Sequence, residues 1–284
     1  MVSIPATLTG PLRRRIVGEV RRAIHGSDAV PRAINPDDRT GLFAADSVVR
    51  RVHGDPVSMM IGGVAALLLQ MLHPKVLAGV WDHSNFRADM RGRLHRTARF
   101  IAVTTYGARE DADAAIARVR AIHAAVAGRL PDGTPYRADD PHLLAWVHVS
   151  EAMMFLAAWQ RYGRTALSPA EQEAYFAEFA AVPVALGADP VPRSRAAADA
   201  FVSTMRPDLR SDARSREVAA LVLAQPAATR AAAPVQALTF QAAVDLLPDW
   251  AREMHGLRPS LAAGLVRSGG RGLATAVRWA FTQR

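Results

Sequence analysis

The sequence predicts an all-α protein built as a single helical domain. Alanine, leucine and arginine are abundant, and only 6% of the residues are aromatic, a composition that favours helices over sheets. Several long segments place apolar residues at helical spacing between capping residues and glycines. No segment shows sustained alternation of apolar and polar residues bounded by turn signals. With 284 residues, 50% of them hydrophobic, the chain can bury a sizeable core.

The N-terminal part of the chain differs in composition from the rest. Residues 12–24 predict an arginine-rich amphipathic helix. Residues 27–46 are rich in proline, aspartate and glycine and predict a long irregular arm. We therefore divide the chain into residues 1–40, the N-terminal arm and basic helix, and residues 41–284, the helical domain.

The first half of the helical domain has clear helix-ending signals. Pro74 stops a strongly apolar helix, and Gly107 and Gly163 end two later ones. Acidic residues open the helix that starts at Asp111, as the helix dipole favours, and Asp132-Gly133 predicts a turn. The predicted helices here cover residues 61–72, 76–81, 91–106, 111–130 and 141–162.

The second half of the domain continues in the same way. The segment Ser168-Pro169-Ala170-Glu171 has the pattern of a capping box and starts a helix that runs to about residue 181. Residues 183–192 predict a proline-rich connection. The remaining predicted helices cover residues 196–205, 214–223, 231–246 and 261–282.

The charge and cysteine content restrict the function. The formal net charge is +9, but Lys75 is the only lysine, and the arginines are dispersed among acidic residues. No nucleic-acid-binding motif is present. We therefore expect no nucleic-acid partner and at most peripheral membrane contact. The chain has no cysteine, which excludes disulfides, zinc ribbons, iron–sulfur clusters, thiolate-ligated haem and cysteine nucleophiles.

The N-terminal arginines do not form an export signal. Arg13-Arg14-Arg15 lacks the apolar stretch that a twin-arginine signal requires, because Glu19, Arg21 and Arg22 follow. We therefore expect a cytoplasmic protein.

Histidines are the strongest candidates for chemistry. Six of the nine fall within residues 73–148, in the most helical segments. Histidine is a common protein ligand of haem iron, and no cysteine competes with it here. His123 lies among small apolar neighbours that would let a flat macrocycle approach the backbone, and Arg120, one turn earlier, could reach a propionate. The alternative is a core histidine that donates to a carbonyl.

Arg93, Arg96 and Thr97 lie three and four residues apart, on one helical face. Two guanidinium groups and a hydroxyl suit an anionic group or a polarised oxygen species. The alternative is a pair of surface arginines beside a helix-interior threonine.

Other sequence patterns are weaker evidence for a functional site. His148 and Glu151 share a helical face, but a di-iron bundle needs Glu-x-x-His pairs, which are absent. The piece His53-Gly54-Asp55 matches part of a facial triad, which normally sits on a β scaffold that is not predicted here. The absence of nucleotide-binding, zincin and hydrolase motifs argues against those classes.

Three segments in the first half are distinctive: residues 62–74 (GGVAALLLQMLHP), 79–84 (GVWDHS) and 93–97 (RLHRT). They are followed in order by residues 119–123 (VRAIH), 136–141 (YRADDP), 146–148 (WVH) and 162–163 (YG). Together they resemble a bacterial family grouped with latex-clearing (rubber) oxygenases and a fungal prenyl-chain-cleaving oxygenase. The resemblance starts near residue 41, fades after about residue 192 and so covers more than half of the chain.

The resemblance implies a globin-like helical core that holds haem b. The family's proximal histidine, in its Val-Arg-x-x-His segment, corresponds to His123. Its distal Arg-x-x-x-Thr pair corresponds to Arg93 and Thr97. Arg96 and Arg120 are further candidates for contact with the charged groups of the cofactor.

Two departures from the family pattern stand out. Rubber-cleaving members place a lysine, which can bind iron, just before the distal threonine. Arg96 stands there in this chain, and a guanidinium stays protonated and offers no lone pair. Those members also carry a glutamate base upstream of the distal helix, whereas no glutamate occurs here between residues 55 and 110. Asp82 and His83 are the nearest ionisable candidates; the alternative is a helix C-terminus with an Asx- or Ser-type cap.

These observations predict a haem-dependent oxygenase or peroxygenase-type oxidoreductase. Its partners would be a small apolar substrate and dioxygen or peroxide, with His123 as the iron ligand. Two alternatives stay open: a non-catalytic haem-binding sensor or carrier, and a cofactor-free helical binding protein with structural histidines.

Overall fold

A computed structural model describes residues 6–25 and 40–282 of the chain. The structure is 71% helical, and its described strands are two segments of three residues, β1 (Ala127–Arg129) and β2 (Pro135–Arg137). The predicted all-α fold is therefore confirmed. The α-helices are α1 (Ala6–His25), α2 (Val48–His53), α3 (Pro56–Gln70), α4 (Pro74–His83), α5 (Met90–Tyr106), α6 (Arg109–Ala124), α7 (Pro141–Tyr162), α8 (Pro169–Phe179), α9 (Ala181–Leu186), α10 (Arg195–Met205), α11 (Ala213–Leu223), α12 (Ala233–Val244), α13 (Asp249–Met254) and α14 (Ala263–Phe281).

Helices α3 and α7 form the centre of the fold. Asp55 and Asp140 cap their N-termini through side-chain oxygens, and a proline occupies the first turn of each. Both helices bury residues on nearly every face, as core helices do. Gly62 lets the two backbones approach closely, because a Cβ at this position would lie 2.9 Å from the carbonyl oxygen of Met154.

The remaining helices surround this pair. Helices α12 and α14 pack on α3, and α14 also contacts α7. Helix α1 lies on α14 and α5, and α2 packs on α3, α5, α7 and α8. Helices α5 and α6 pack on each other and are joined by two residues, while α6 also contacts α9.

The chain bends by 103° between α3 and α4, just before Pro74. Proline removes a backbone donor and ends the first helix, as predicted. Within the described ranges no single helix is long and apolar enough to cross a membrane, although α3 and α4 meet the length and composition criteria as a bent pair.

The predicted helix over residues 111–130 is wrong at its end. Helix α6 stops at Ala124, and residues 127–129 form β1, which pairs antiparallel with β2. Tyr136 packs so closely on Gly128 that a Cβ there would lie 2.5 Å from its hydroxyl oxygen. This contact across the hairpin favours the strand over further helix. Gly133 adopts a φ of 85° in the predicted Asp132-Gly133 turn, which is confirmed.

Three short helices were not predicted: α2, α9 and α13, each of six residues. Helix α9 falls partly on the expected proline-rich connection, which is therefore wrong over residues 183–186; Pro183 is tolerated in the first turn. The capping box at Ser168 is confirmed, with both reciprocal hydrogen bonds present. Most of the predicted irregular arm, residues 26–39, lies outside the described residues.

Candidate functional site

The predicted site residues fall on three segments: the end of α4, the first half of α5 and the end of α6. Arg93 lies 13 residues before the end of α5, and His123 lies 14 residues after the start of α6. At a rise of about 1.5 Å per residue, both lie about 20 Å from the connection between these helices.

Arg93 is half-buried, whereas Arg91, Arg96 and Arg99 on the same helix are exposed. Its Nη1 donates a hydrogen bond to Oγ of Ser84, the C-cap residue of α4, at 2.9 Å. Burial lowers the pKa of the guanidinium, and the neighbouring charge of Arg96 lowers it further. No carboxylate among the described residues forms an ion pair with it. Arg93 is thus a half-buried cation held by a neutral hydroxyl, an arrangement that favours an anionic or polarised ligand.

Arg96 and Thr97 face a different environment from Arg93. The Arg96 side chain is 65% exposed and forms an ion pair of 3.2 Å with Asp89, the N-cap residue of α5. Thr97 is also exposed. The structure therefore does not bring the two guanidinium groups together: Arg93 turns inward, and Arg96 pairs at the surface.

His123 is the last residue but one of α6. It is half-buried, and burial lowers the pKa of its imidazole against the weaker opposing effect of Asp139. Among the described residues, none forms a hydrogen bond with the ring. Near neutral pH the ring is therefore uncharged, with a free nitrogen lone pair. Arg120, one turn earlier, is exposed.

Tyr136 connects the end of α4 to the hairpin that follows His123. The phenol is 3% exposed and donates a 2.6 Å hydrogen bond to Oδ2 of Asp82. The His83 ring lies edge-on to Tyr136, with centroids 6.2 Å apart. Burial and the Asp82 carboxylate raise the pKa of Tyr136 to about 12, so the phenol remains a donor. The structure thus places Asp82 and His83 beside the segment that carries His123.

Together these contacts form a chain around the end of α4. Arg93 reaches Ser84, Tyr136 reaches Asp82, and the hairpin containing Tyr136 starts directly after α6. This arrangement can present a neutral imidazole, a half-buried cation and a carboxylate in one region.

A second polar cluster, which the sequence did not predict, lies in the core. His53 Nδ1 is 2.9 Å from Oγ1 of Thr105, and its Nε2 is 3.3 Å from the hydroxyl of Tyr175. Glu151 hydrogen-bonds with Gln70, and burial raises the pKa of its carboxyl to about 7. Burial lowers the pKa of His53 to about 3, with the neighbouring His148 as a further cause.

No group of three histidine and carboxylate side chains in the described part of the chain could hold a metal ion. Asp55 has structural partners instead: it accepts from the backbone of Ser58 and forms an ion pair with Arg278. The residues next to Tyr136 and His53 in the sequence do not reveal their roles, because the partners of both side chains lie on distant segments.

Comparison with known proteins identifies a matching family. A family model described as "ER-bound oxygenase mpaB/B'/Rubber oxygenase, catalytic domain" matches residues 50–279, which contain every predicted site residue. No curated protein and no solved structure is significantly similar to the chain.

Proposed function

Because the chain belongs to the mpaB/rubber oxygenase catalytic-domain family, we propose that it is a haem-b-dependent oxygenase acting on a small apolar substrate. Haem, when bound, supplies the redox chemistry that activates dioxygen or peroxide. The observation that carries this proposal is His123, a half-buried, neutral imidazole whose ring makes no hydrogen bond with any described residue.

His123 supplies the donor chemistry that haem requires. A neutral imidazole offers one nitrogen to iron, and its other nitrogen keeps a proton. Because burial lowers the pKa of this ring, little ligand is lost to protonation near neutral pH. Exposed Arg120 is available for a propionate at the edge of the site.

Arg93 supplies positive charge inside the protein. Its partner is the neutral Ser84 hydroxyl, so several of its five N–H donors stay available. We assign it to the reacting oxygen, where it stabilises developing negative charge, with Thr97 as an additional donor. If Arg93 instead holds a propionate, its removal abolishes haem binding.

The end of α4 supplies the remaining acid–base groups. Oδ2 of Asp82 accepts a 2.6 Å hydrogen bond from the Tyr136 hydroxyl, which holds the carboxylate in a fixed orientation. We assign Asp82 and the neighbouring His83 to proton handling, because no glutamate occupies the corresponding upstream region. Arg96, paired with Asp89 at the surface, contacts at most the periphery of the cofactor.

The region around α5 also supports an apolar substrate. Leu94, Phe100 and Ile101 on α5 are partly buried and pack against the core, as does Trp81 on α4. Such side chains line a site for an apolar molecule more readily than for a polar one. We further propose a cytoplasmic location, in line with the absence of cysteine.

The test is an absorption spectrum of the full chain after haem reconstitution. We expect a Soret band in the wild type, loss of most of it in His123→Ala, and retention in His142→Ala, a matched change of an exposed helical histidine. Peroxide- or oxygen-dependent turnover of an apolar alkene then separates an oxygenase from a haem carrier. A colourless wild type, or a His123→Ala variant with full haem content, would contradict the proposal.

A further inference from the structure

Helix α14 carries apolar side chains on two opposite faces. The inner face, with Gly270, Ala274, Val277 and Ala280, is buried against the rest of the protein. The outer face is exposed along its length: Leu265, Ser268, Gly272, Ala276 and Trp279 follow at three- and four-residue spacing and lie in one line.

The large apolar side chains along this outer face are exposed to solvent. Leu265 is 75% exposed and Trp279 40% exposed, and Leu261, just before the helix, is fully exposed. Single exposed leucines are ordinary, but an exposed leucine and tryptophan on one helix, with a second exposed leucine just before it, indicate an interaction surface.

Helix α1 extends this surface at one end. Its Arg13 donates to the carbonyl oxygen of Trp279 at 3.1 Å, and the guanidinium lies 5.2 Å from the centre of the indole ring. Leu12, the residue before it, is 53% exposed. We call Leu12, Leu261, Leu265 and Trp279, together with the exposed Arg14, Arg15 and Arg267, the α1–α14 surface.

This surface is strongly basic. Helix α1 has five arginines and a single glutamate, and α14 has three arginines and no acidic residue. Arg14, Arg15 and Arg267 are exposed and have no carboxylate partner among the described residues. Arginine stays charged at any physiological pH, so the partner must carry negative charge as well as an apolar layer.

We propose that the α1–α14 surface docks onto an anionic lipid bilayer. Exposed arginines would contact the phosphate headgroups, while Leu261, Leu265 and Trp279 would enter the boundary between headgroups and acyl chains. Tryptophan suits that boundary because its ring is amphipathic. A nucleic acid would satisfy the charge and leave the exposed leucines in water. The proposal rests on this surface alone and is independent of haem binding.

The test is co-sedimentation of the full chain with vesicles. We expect binding to vesicles that contain phosphatidylglycerol, weak binding to pure phosphatidylcholine, and loss of binding as salt rises. The double variant Leu261→Ser/Leu265→Ser should reduce binding at least tenfold. Arg14→Glu/Arg15→Glu should reduce it further, since each lost cation costs about fivefold near an anionic surface.

Matched controls lie elsewhere on the surface. Val184→Ser removes an exposed apolar side chain on α9, and Arg216→Glu reverses an exposed charge on α11; both should bind as the wild type does, with unchanged circular dichroism in every variant. Absence of binding to phosphatidylglycerol vesicles, or equal binding by the leucine variant, would overturn the proposal. So would a concentration-dependent dimer that the leucine variant dissociates, because the surface would then join two copies of the chain.

Discussion

The hydroxyl of Tyr136 donates a 2.6 Å hydrogen bond to the Asp82 carboxylate and ties the hairpin after α6 to the last turn of α4. The phenol ring fills the space above Gly128. A single residue thus positions both the carboxylate and the segment that follows His123.

Removal of this hydroxyl in Tyr136→Phe should lower the free energy of unfolding by about 1–2 kcal/mol, because a hydrogen bond to a carboxylate is lost. Denaturant unfolding measures the change. Asp82→Asn keeps an acceptor and should cost less. If Tyr136→Phe unfolds like the wild type, the hydrogen bond does not hold the hairpin. In reconstituted protein, we also expect a weaker Soret band for Tyr136→Phe.

Replacing Arg93 separates its contribution to turnover from its effect on the stability of the fold. As a half-buried cation without a described carboxylate partner, it should destabilise the haem-free protein. Arg93→Met should therefore raise the free energy of unfolding by about 1 kcal/mol, yet lower oxygen-dependent turnover in the reconstituted protein. Arg96→Met, at an exposed ion pair, should change stability little.

The haem content of Arg93→Met distinguishes the two roles proposed for Arg93. Retention of haem with reduced turnover supports its assignment to the reacting oxygen, whereas loss of the Soret band assigns it to a propionate. A clear destabilisation by Arg93→Met would show that Arg93 serves the fold itself.

Adjacent glycines in α3 give a matched test of the central packing. At Gly62 an added Cβ would lie 2.9 Å from the Met154 carbonyl oxygen and 3.0 Å from a ring carbon of Phe155. At Gly63 the nearest contact would be an ordinary 3.8 Å. Gly62→Ala should destabilise the protein by about 1–3 kcal/mol through overpacking.

Gly63→Ala should instead be neutral or stabilise α3 by up to about 1 kcal/mol, because alanine favours helix. Thermal unfolding followed by circular dichroism measures both variants. Equal effects of the two substitutions would show that α3 and α7 approach less closely than the structure places them.

The sequence predicted the long helices well because their ends carry local signals. Proline and aspartate start α7, glycine ends α5 and α7, and a capping box starts α8. The ends of α6 and the short helices could not be predicted in this way. Helix α6 gives way to β1, where Tyr136, eight residues later in the hairpin, packs on Gly128, and strands of three residues are too short to show alternation.

The site was predictable only in part. The resemblance assigned roles to Arg93 and His123, which remain predictions, but their surroundings depend on contacts across the chain. Ser84 and Tyr136 are ordinary residues in the sequence, and the fold makes them partners of Arg93 and Asp82. Helical spacing placed Arg96 beside Arg93, but the N-cap Asp89 draws it to the surface.

The raised pKa of the Glu151 carboxyl predicts that this group lowers the stability of the fold as the pH rises. Burial raises its pKa from 4.5 to about 7 in the folded protein. Gln70 from α3 forms a hydrogen bond with it. Burial and, to a lesser extent, the Glu151 charge raise the pKa of Tyr175 on α8, whose hydroxyl lies 3.3 Å from Nε2 of His53. Between pH 4.5 and 7 the folded state keeps a proton that the unfolded state releases, so rising pH favours unfolding.

His53 and His148 act in the opposite direction. Their pKa values fall from 6.5 to about 3 on burial, so the unfolded state binds more protons below pH 6.5 and acidification destabilises the fold. Comparing a Glu151 variant with the wild type cancels the contribution of the two histidines to the pH dependence of stability. Glu151→Gln keeps the hydrogen-bonding shape without the charge. Its stability relative to the wild type should therefore rise between pH 4.5 and 7, by about 3 kcal/mol in total.

Denaturant unfolding at pH 4.5, 6 and 8 measures this difference, with Glu171→Gln as the control. The pKa of Glu171 is lowered to about 2 by the Ser168 backbone and by Arg51. Glu171→Gln should therefore be less stable than the wild type wherever Glu171 is ionised in the folded protein, at pH values above about 2. A difference between Glu151→Gln and the wild type that stays constant from pH 4.5 to 8 would show that Glu151 ionises like a solvent-exposed glutamate. The core cluster around His53 would then be open to water.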